Sequence, residues 1–226
     1  MLPILYEDNY LLAVNKPAGL SSGSGGSHPG AEGAVSDYLR EKYPKKKQLR
    51  AGMAHRLDRP VEGVLLFALT HMAVKSLASQ FEGRSVRKIY LALVENKLPS
   101  SAGELVHWLG KDSINRKAVC LTEADADARL CKLRYEVLWQ AAGKSLVSLE
   151  LLTGRYHQIR AQMAAVGCPV VGDEKYGSVA VPPAAGAICL QAHSLSFDHP
   201  KTGLRIEIAA PLPAWGRGER REEEMR

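Results

Sequence analysis

The chain has 226 residues, 46% hydrophobic and 24% charged, the composition of a globular protein long enough to bury a sizeable core. No apolar run approaches the ~20 residues that span a bilayer. The start, Met1 to Asp8, also lacks the basic region and apolar stretch of a secretion signal, so a cytoplasmic protein is expected. Lys and Arg number 30 against 24 Asp and Glu, and the net charge of +6 favours an anionic partner such as RNA over an acidic protein.

Residues 3–6 and 11–15 read as two short strands joined across the turn-like Glu7-Asp8-Asn9-Tyr10. After Lys16-Pro17-Ala18-Gly19 comes Ser21-Ser22-Gly23-Ser24-Gly25-Gly26-Ser27, low in complexity. Gly-rich stretches can cradle phosphate, but no Lys-Ser/Thr pair follows at P-loop spacing, so a mobile surface loop is expected. A short helix is expected over 35–43, capped by Ser36, followed by a basic loop of Lys45, Lys46, Lys47 and Arg50. The charge of that loop suits phosphate contacts.

The apolar run Val64-Leu65-Leu66-Phe67-Ala68-Leu69 follows Pro60 and Gly63, which points to a buried strand. Thr70 then caps a helix carrying Ala73, Val74, Leu77, Ala78 and Phe81 at helical spacing, with Gly83 as its stop. Further strands are expected at 88–94, 104–109, 116–121, 129–139, 147–151, 187–196 and 204–209, with a turn at Ala141-Ala142-Gly143-Lys144. A helix is expected over 156–166, stopped by Gly167, and the charged tail after residue 211 has no apolar face. Strands outnumber helices and connect by short turns. That pattern is α+β with a mainly antiparallel sheet, here expected as a single domain over residues 1–211.

Three charged clusters stand out. Ala54-His55-Arg56-Leu57-Asp58-Arg59-Pro60 runs straight into the buried strand, so Asp58 sits on a loop anchored to the scaffold, where chemistry is often carried. The same segment also reads as an ordinary solvated strand start. Thr153-Gly154-Arg155-Tyr156-His157-Gln158-Ile159-Arg160 is a strand-to-helix turn whose arginines oppose the helix dipole and so call for a facing anion. Arg87-Lys88-Ile89-Tyr90 places Tyr90 and Lys88 on one strand face, where a Tyr commonly just packs. Cys120, Cys131, Cys168 and Cys189 lack C-x-x-C spacing and are expected as reduced thiols, and no histidine set shows metal-ligand spacing.

Taken in order, these clusters resemble the motifs of the RluA-type pseudouridine synthases. Supporting matches are Ile4 to Asp8 with Asn15 to Leu20, then Gly167 to Asp173 with Tyr176-Gly177, then His193 to Pro200. The resemblance spans residues 4–211. It implies the pseudouridine synthase catalytic fold and cofactor-free isomerisation of a uridine in RNA, without a metal. By this resemblance Asp58 is the essential carboxylate, Arg160 its basic partner, Tyr90 the ring against the base and Ile159 the apolar residue beside it. Arg56 matches the arginine that fills the place vacated when the nucleotide flips out, and His55 and Arg155 are counted with the substrate-binding residues. The implied partner is tRNA or ribosomal RNA, and a monomer is expected. Two departures are visible: Val61-Glu62 stands where the family usually carries hydroxyl residues, and the catalytic strands start at residue 3, so no S4-like domain is expected before them.

Overall fold

Among the described residues, strands outnumber helices. The computed structural model describes residues 1–23, 29–45, 50–121, 123–124 and 127–217. The later part of the expected Gly/Ser loop, Lys46 and Lys47 of the basic run, and the charged end at 218–226 lie outside the described residues. The chain is α+β, with a mixed and mainly antiparallel set of strands, as the sequence leads one to expect. It divides into two compact units, residues 1–89 with 191–210, and residues 90–190 with 211–226.

In the first unit, β1 (Ile4–Glu7), β2 (Leu11–Lys16), β3 (Gly52–Met53) and β4 (Glu62–Ala68) join β10 (Leu190–Asp198) and β11 (Arg205–Ala209). The order is β1-β2-β4-β10, with β3 also on β4 and β11 on β10. β4 runs parallel to β10 and antiparallel to β2 and β3. Its central place explains the unbroken apolar run: Val64, Leu65, Leu66 and Phe67 are all fully buried. Val64, Leu66 and Ala68 pack with Leu77 of helix α2 (His71–Glu82) and with Phe197 of β10. Thr70 caps α2 as expected, its side chain accepting from the Ala73 amide at 3.2 Å.

Helix α1 (Gly30–Lys42) starts five residues earlier than the sequence suggests. Its cap is not Ser36, whose hydroxyl instead donates to Glu32 O inside the helix at 2.8 Å. The Ala31 and Glu32 amides donate to Ser21 O and Ser22 O, so a neighbouring stretch of backbone performs the capping. Ser21 and Ser22 are accordingly scaffold and not mobile loop, and Ser22 is 4% exposed.

In the second unit, β5 (Arg87–Glu95, in this unit from Tyr90), β6 (Ala102–Asp112), β7 (Lys117–Leu121), β8 (Arg129–Ala141) and β9 (Lys144–Leu151) lie in the order β5-β9-β8-β6-β7. Cys131, Leu133 and Tyr135 of β8 alternate inward. β8 and β9 join through Ala142 and Gly143, both at positive φ (49° and 71°), the hairpin geometry that matches strand twist. Helix α3 (Gln158–Ala165) packs Ala161 against Ala118 and Cys131. It starts two residues later than expected because His157 is left-handed, φ 51°, and cannot be its first turn. Gly167, φ 75°, ends it.

Candidate active site

Because β3 and β4 are antiparallel, residues 54–61 form the loop between them, and Asp58 lies in that loop's tight turn, closed by the Val61 amide donating to Asp58 O at 3.1 Å. Pro60 suits such a turn. Its neighbours are held from two sides. Ser22 Oγ donates to Leu57 O at 2.8 Å and accepts from the Leu57 amide at 2.9 Å, so one buried hydroxyl satisfies both backbone groups of the residue before Asp58. On the other side, Gly19 and Arg59 exchange bonds: the Gly19 amide donates to Arg59 O at 2.8 Å, and Arg59 Nε donates to Gly19 O at 2.9 Å.

Lys16 ties these pieces together. It is fully buried, and its Nζ donates to Pro17 O at 2.9 Å and Leu20 O at 2.8 Å, with Arg59 O at 3.5 Å. Burial drives its pKa down to about 8, against the opposing pull of the Asp58 and Glu62 charges. Lys16 is thus a cation whose field reaches Asp58. Beyond the turn, Gly63 has φ 117°, and a Cβ there would lie 2.2 Å from Ala192 O of the paired strand β10. No other residue type fits that position.

His55 is engaged by the scaffold: the Leu66 amide donates to its Nε2 at 3.2 Å, and its ring stacks on Phe81 with centroids 5.4 Å apart. Burial first, then the Lys88 charge, lowers its pKa to about 4, so the ring is neutral at pH 7. Lys88 itself is pushed down by burial and by Arg84. Arg56 points out to solvent, and Asp58 is half-buried.

In the second unit, Thr153 and Gln158 fold the turn that leads into α3. Thr153 Oγ1 accepts from the Lys132 amide at 2.9 Å and donates to Gln158 Oε1 at 2.8 Å, which also accepts from the Arg155 amide at 3.1 Å. Gln158 Nε2 returns a bond to Lys132 O at 3.1 Å. Arg160, 5% exposed, makes a two-pronged pair with Asp173, Nε to Oδ2 at 2.6 Å and Nη2 to Oδ1 at 2.8 Å. Such a fork fixes the guanidinium plane. The guanidinium carbon lies over the Tyr176 ring, 5.0 Å from its centroid. Tyr176 OH accepts from the Ala118 amide at 2.8 Å and bonds His157 Nδ1 at 2.9 Å. Burial, then the Arg160 and Lys175 charges, lowers the His157 pKa to about 4. Ile159 is buried, Tyr90 half-buried and Arg155 exposed. The first unit therefore holds His55, Arg56 and Asp58, and the second holds Tyr90, Arg155, Ile159 and Arg160.

The family model described as RNA pseudouridylate synthase matches residues 10–165, which include both the Asp58 turn and the Arg160 helix. The chain belongs to the RluA-type RNA pseudouridine synthases. Within this family it is 33% identical to the ribosomal large subunit pseudouridine synthase D of Pseudomonas aeruginosa, over 94% of this chain and 68% of that protein. It is 34% identical to the ribosomal large subunit pseudouridine synthase C of Buchnera aphidicola, with the same shares of 94% and 68%. Among solved structures it resembles human RNA Pseudouridylate Synthase Domain Containing 1, with a TM-score of 0.73, 27% identity, and coverage of 93% of this chain and 83% of that one. Pseudouridine synthases of this family isomerise uridine in RNA. Among the described residues no group of His, Cys, Asp and Glu is arranged to hold a metal ion, and no helix is long and apolar enough to cross a membrane.

Sequence reading passed over four residues of this pseudouridine synthase that the geometry brings forward: Lys16, Ser22, Asp173 and Tyr176. Three of them lie inside segments that carry the resemblance, Asn15 to Leu20, Gly167 to Asp173 and Tyr176-Gly177, so a signal was present. Ser22 had none, because its partner Leu57 lies 35 positions away.

Proposed function

We propose that this chain converts uridine to pseudouridine in structured RNA with Asp58 as its catalytic carboxylate, Arg160 as the basic group and Tyr90 as the ring that stacks on the uracil. Ile159 supplies the apolar contact beside that ring, Arg155 and Arg56 contact the substrate RNA, and Arg56 fills the place of the flipped nucleotide. His55 belongs to the same binding loop, and its bond to the Leu66 amide supports a role in holding that loop in shape. The protein acts as a cytoplasmic monomer and needs no cofactor. The relatives named for the ribosomal large subunit favour ribosomal RNA over tRNA as the substrate.

The observation that carries this reading is the immobilised Asp58 turn, clamped through Leu57, Arg59 and Val61 inside the family-matched segment. A carboxylate held in one place serves either as nucleophile on the sugar or as base toward it, without rearrangement at the moment of reaction. Flipping is required because the stacked base shields C1′ and its own edge. The C1′–N1 bond breaks, the uracil turns, and C5 bonds to C1′ as its hydrogen leaves and N1 gains one. Atoms and charge balance without redox chemistry. The alternative, an RNA-binding protein with the same fold and little or no turnover, has Val61-Glu62 as its hint. Val61 is 3% exposed and its amide closes the Asp58 turn, so Val61 supports the turn.

The test is tritium release from RNA carrying [5-³H]uridine, with purified protein, a chelator and no added cofactor. Release into water at uridines of the organism's own RNA is expected. RNA that is bound but keeps all its label would overturn the proposal.

A further inference from the structure

Beside the turn that leads into α3 the second unit has a cavity of about 670 Å³ of whose lining the proposed function uses Arg155 alone. Four cations line it, Lys111, Arg116, Arg129 and Arg155, and among the described lining residues Asp127 is the one carboxylate. Tyr156 lines the same cavity and is 51% exposed, unusual for a ring of that size. This exposed ring is not loose. Its hydroxyl donates to Arg116 O at 2.9 Å, and one face stacks on His157, centroids 3.8 Å apart and planes 20° off parallel. Arg116 sits in the hairpin turn between β6 and β7 at φ 50°, and its carbonyl also accepts from Lys175 Nζ at 3.1 Å. Tyr156 is therefore a braced aromatic plate at the rim of a cationic hollow.

Phosphate charge and base faces are the two chemistries that such a site answers together. Single-stranded nucleic acid is held by cations tracking the backbone and by aromatic rings on which bases stack. An acidic peptide would use the cations and leave the ring idle. We propose that this cavity is a second RNA subsite, which holds an unpaired nucleotide other than the target uridine, its base on Tyr156 and its phosphates on Arg116 and Arg129. The inference rests on the RNA substrate proposed above. The ring connects onward through His157 and Tyr176 to Arg160, so the subsite adjoins the groups assigned to chemistry without belonging to them.

The test measures binding of a short fluorescent single-stranded RNA by anisotropy across a salt series, and KM and kcat for tritium release, for the full chain. Tyr156→Ala is expected to weaken binding and raise KM about tenfold with kcat retained, while Tyr156→Phe, which keeps the ring, stays near wild type. Arg116→Asn and Arg129→Gln are solvent-exposed changes, and Asn tolerates the left-handed backbone at 116. They keep the proposal open to failure even if Tyr156→Ala does not fold. Each is expected to lower the salt slope by about 0.7, the single-strand value per phosphate contact. Wild-type affinity and slope in these variants would overturn the subsite while leaving the proposed activity standing. Polyglutamate competing as well as RNA of equal charge would overturn it too, because the ring would then play no part. Wild-type protein that binds RNA in this Tyr156-dependent way but releases no tritium would leave the subsite standing and sink the proposed activity.

Discussion

Ser22 and His55 show how single side chains hold the Asp58 loop. Ser22→Ala removes the partner of both backbone groups of Leu57, which is itself 6% exposed. Leaving buried groups unsatisfied costs about 1–3 kcal/mol apiece, so a loss of about 2 kcal/mol or more in urea unfolding is expected. An unchanged midpoint would mean that water replaces the hydroxyl. His55 makes stability depend on pH. Its folded pKa is about 4 against an ordinary imidazole value of 6.5, so between those values the unfolded chain binds the proton and the folded chain does not. Stability from this group is complete above pH 6.5 and is lost as pH falls toward 4. Between pH 7.5 and pH 5 the expected loss is about 2 kcal/mol. His157, lowered to about 4, adds a loss of the same sign. His55→Gln keeps an acceptor for the Leu66 amide without titrating, so its stability is expected to vary less over this range. Equal slopes for the variant and wild type would contradict the assignment.

Among the elements, β4 bears most directly on the loop, because it fixes where the loop ends. Gly63→Ala would set a Cβ 2.2 Å from Ala192 O and force a left-handed backbone on a residue that resists it. A destabilisation of about 3 kcal/mol or more is expected, read as insoluble protein or a large fall in unfolding midpoint. The β4 run was legible in the sequence for the same reason that it is central: six apolar residues, Val64 to Leu69, need cover on both faces. The β9 strand was legible through the alternation of Val147, Leu149 and Leu151 with Ser148 and Glu150, and the 141–144 turn through its Gly. The start of α1 was not, because Gly30 and Gly33 hide the helical pattern and the capping carbonyls of Ser21 and Ser22 come from a separate stretch of chain. Likewise nothing local to 156–157 announces that His157 takes φ 51°. The charges were legible as charges, but not the partners that hold them: Arg160 meets Asp173 across 13 positions, and Lys16 is fully buried on backbone carbonyls. Partners brought together by folding leave no spacing to read.

For the molecule as a whole, the net charge of +6 predicts RNA association that slows steeply as salt rises, whichever uridine is modified. The catalytic claim is narrower and rests on one atom group. Asp58→Asn preserves the size and turn-forming capacity of the side chain, and the clamps on the loop run through Leu57, Arg59 and the Asp58 carbonyl. The decisive measurement is therefore RNA affinity and tritium release for Asp58→Asn beside wild type, in the same buffer and on the same RNA. The expected result is wild-type affinity with release reduced to background. Release at anything close to the wild-type rate would contradict the assignment of Asp58 as the catalytic carboxylate.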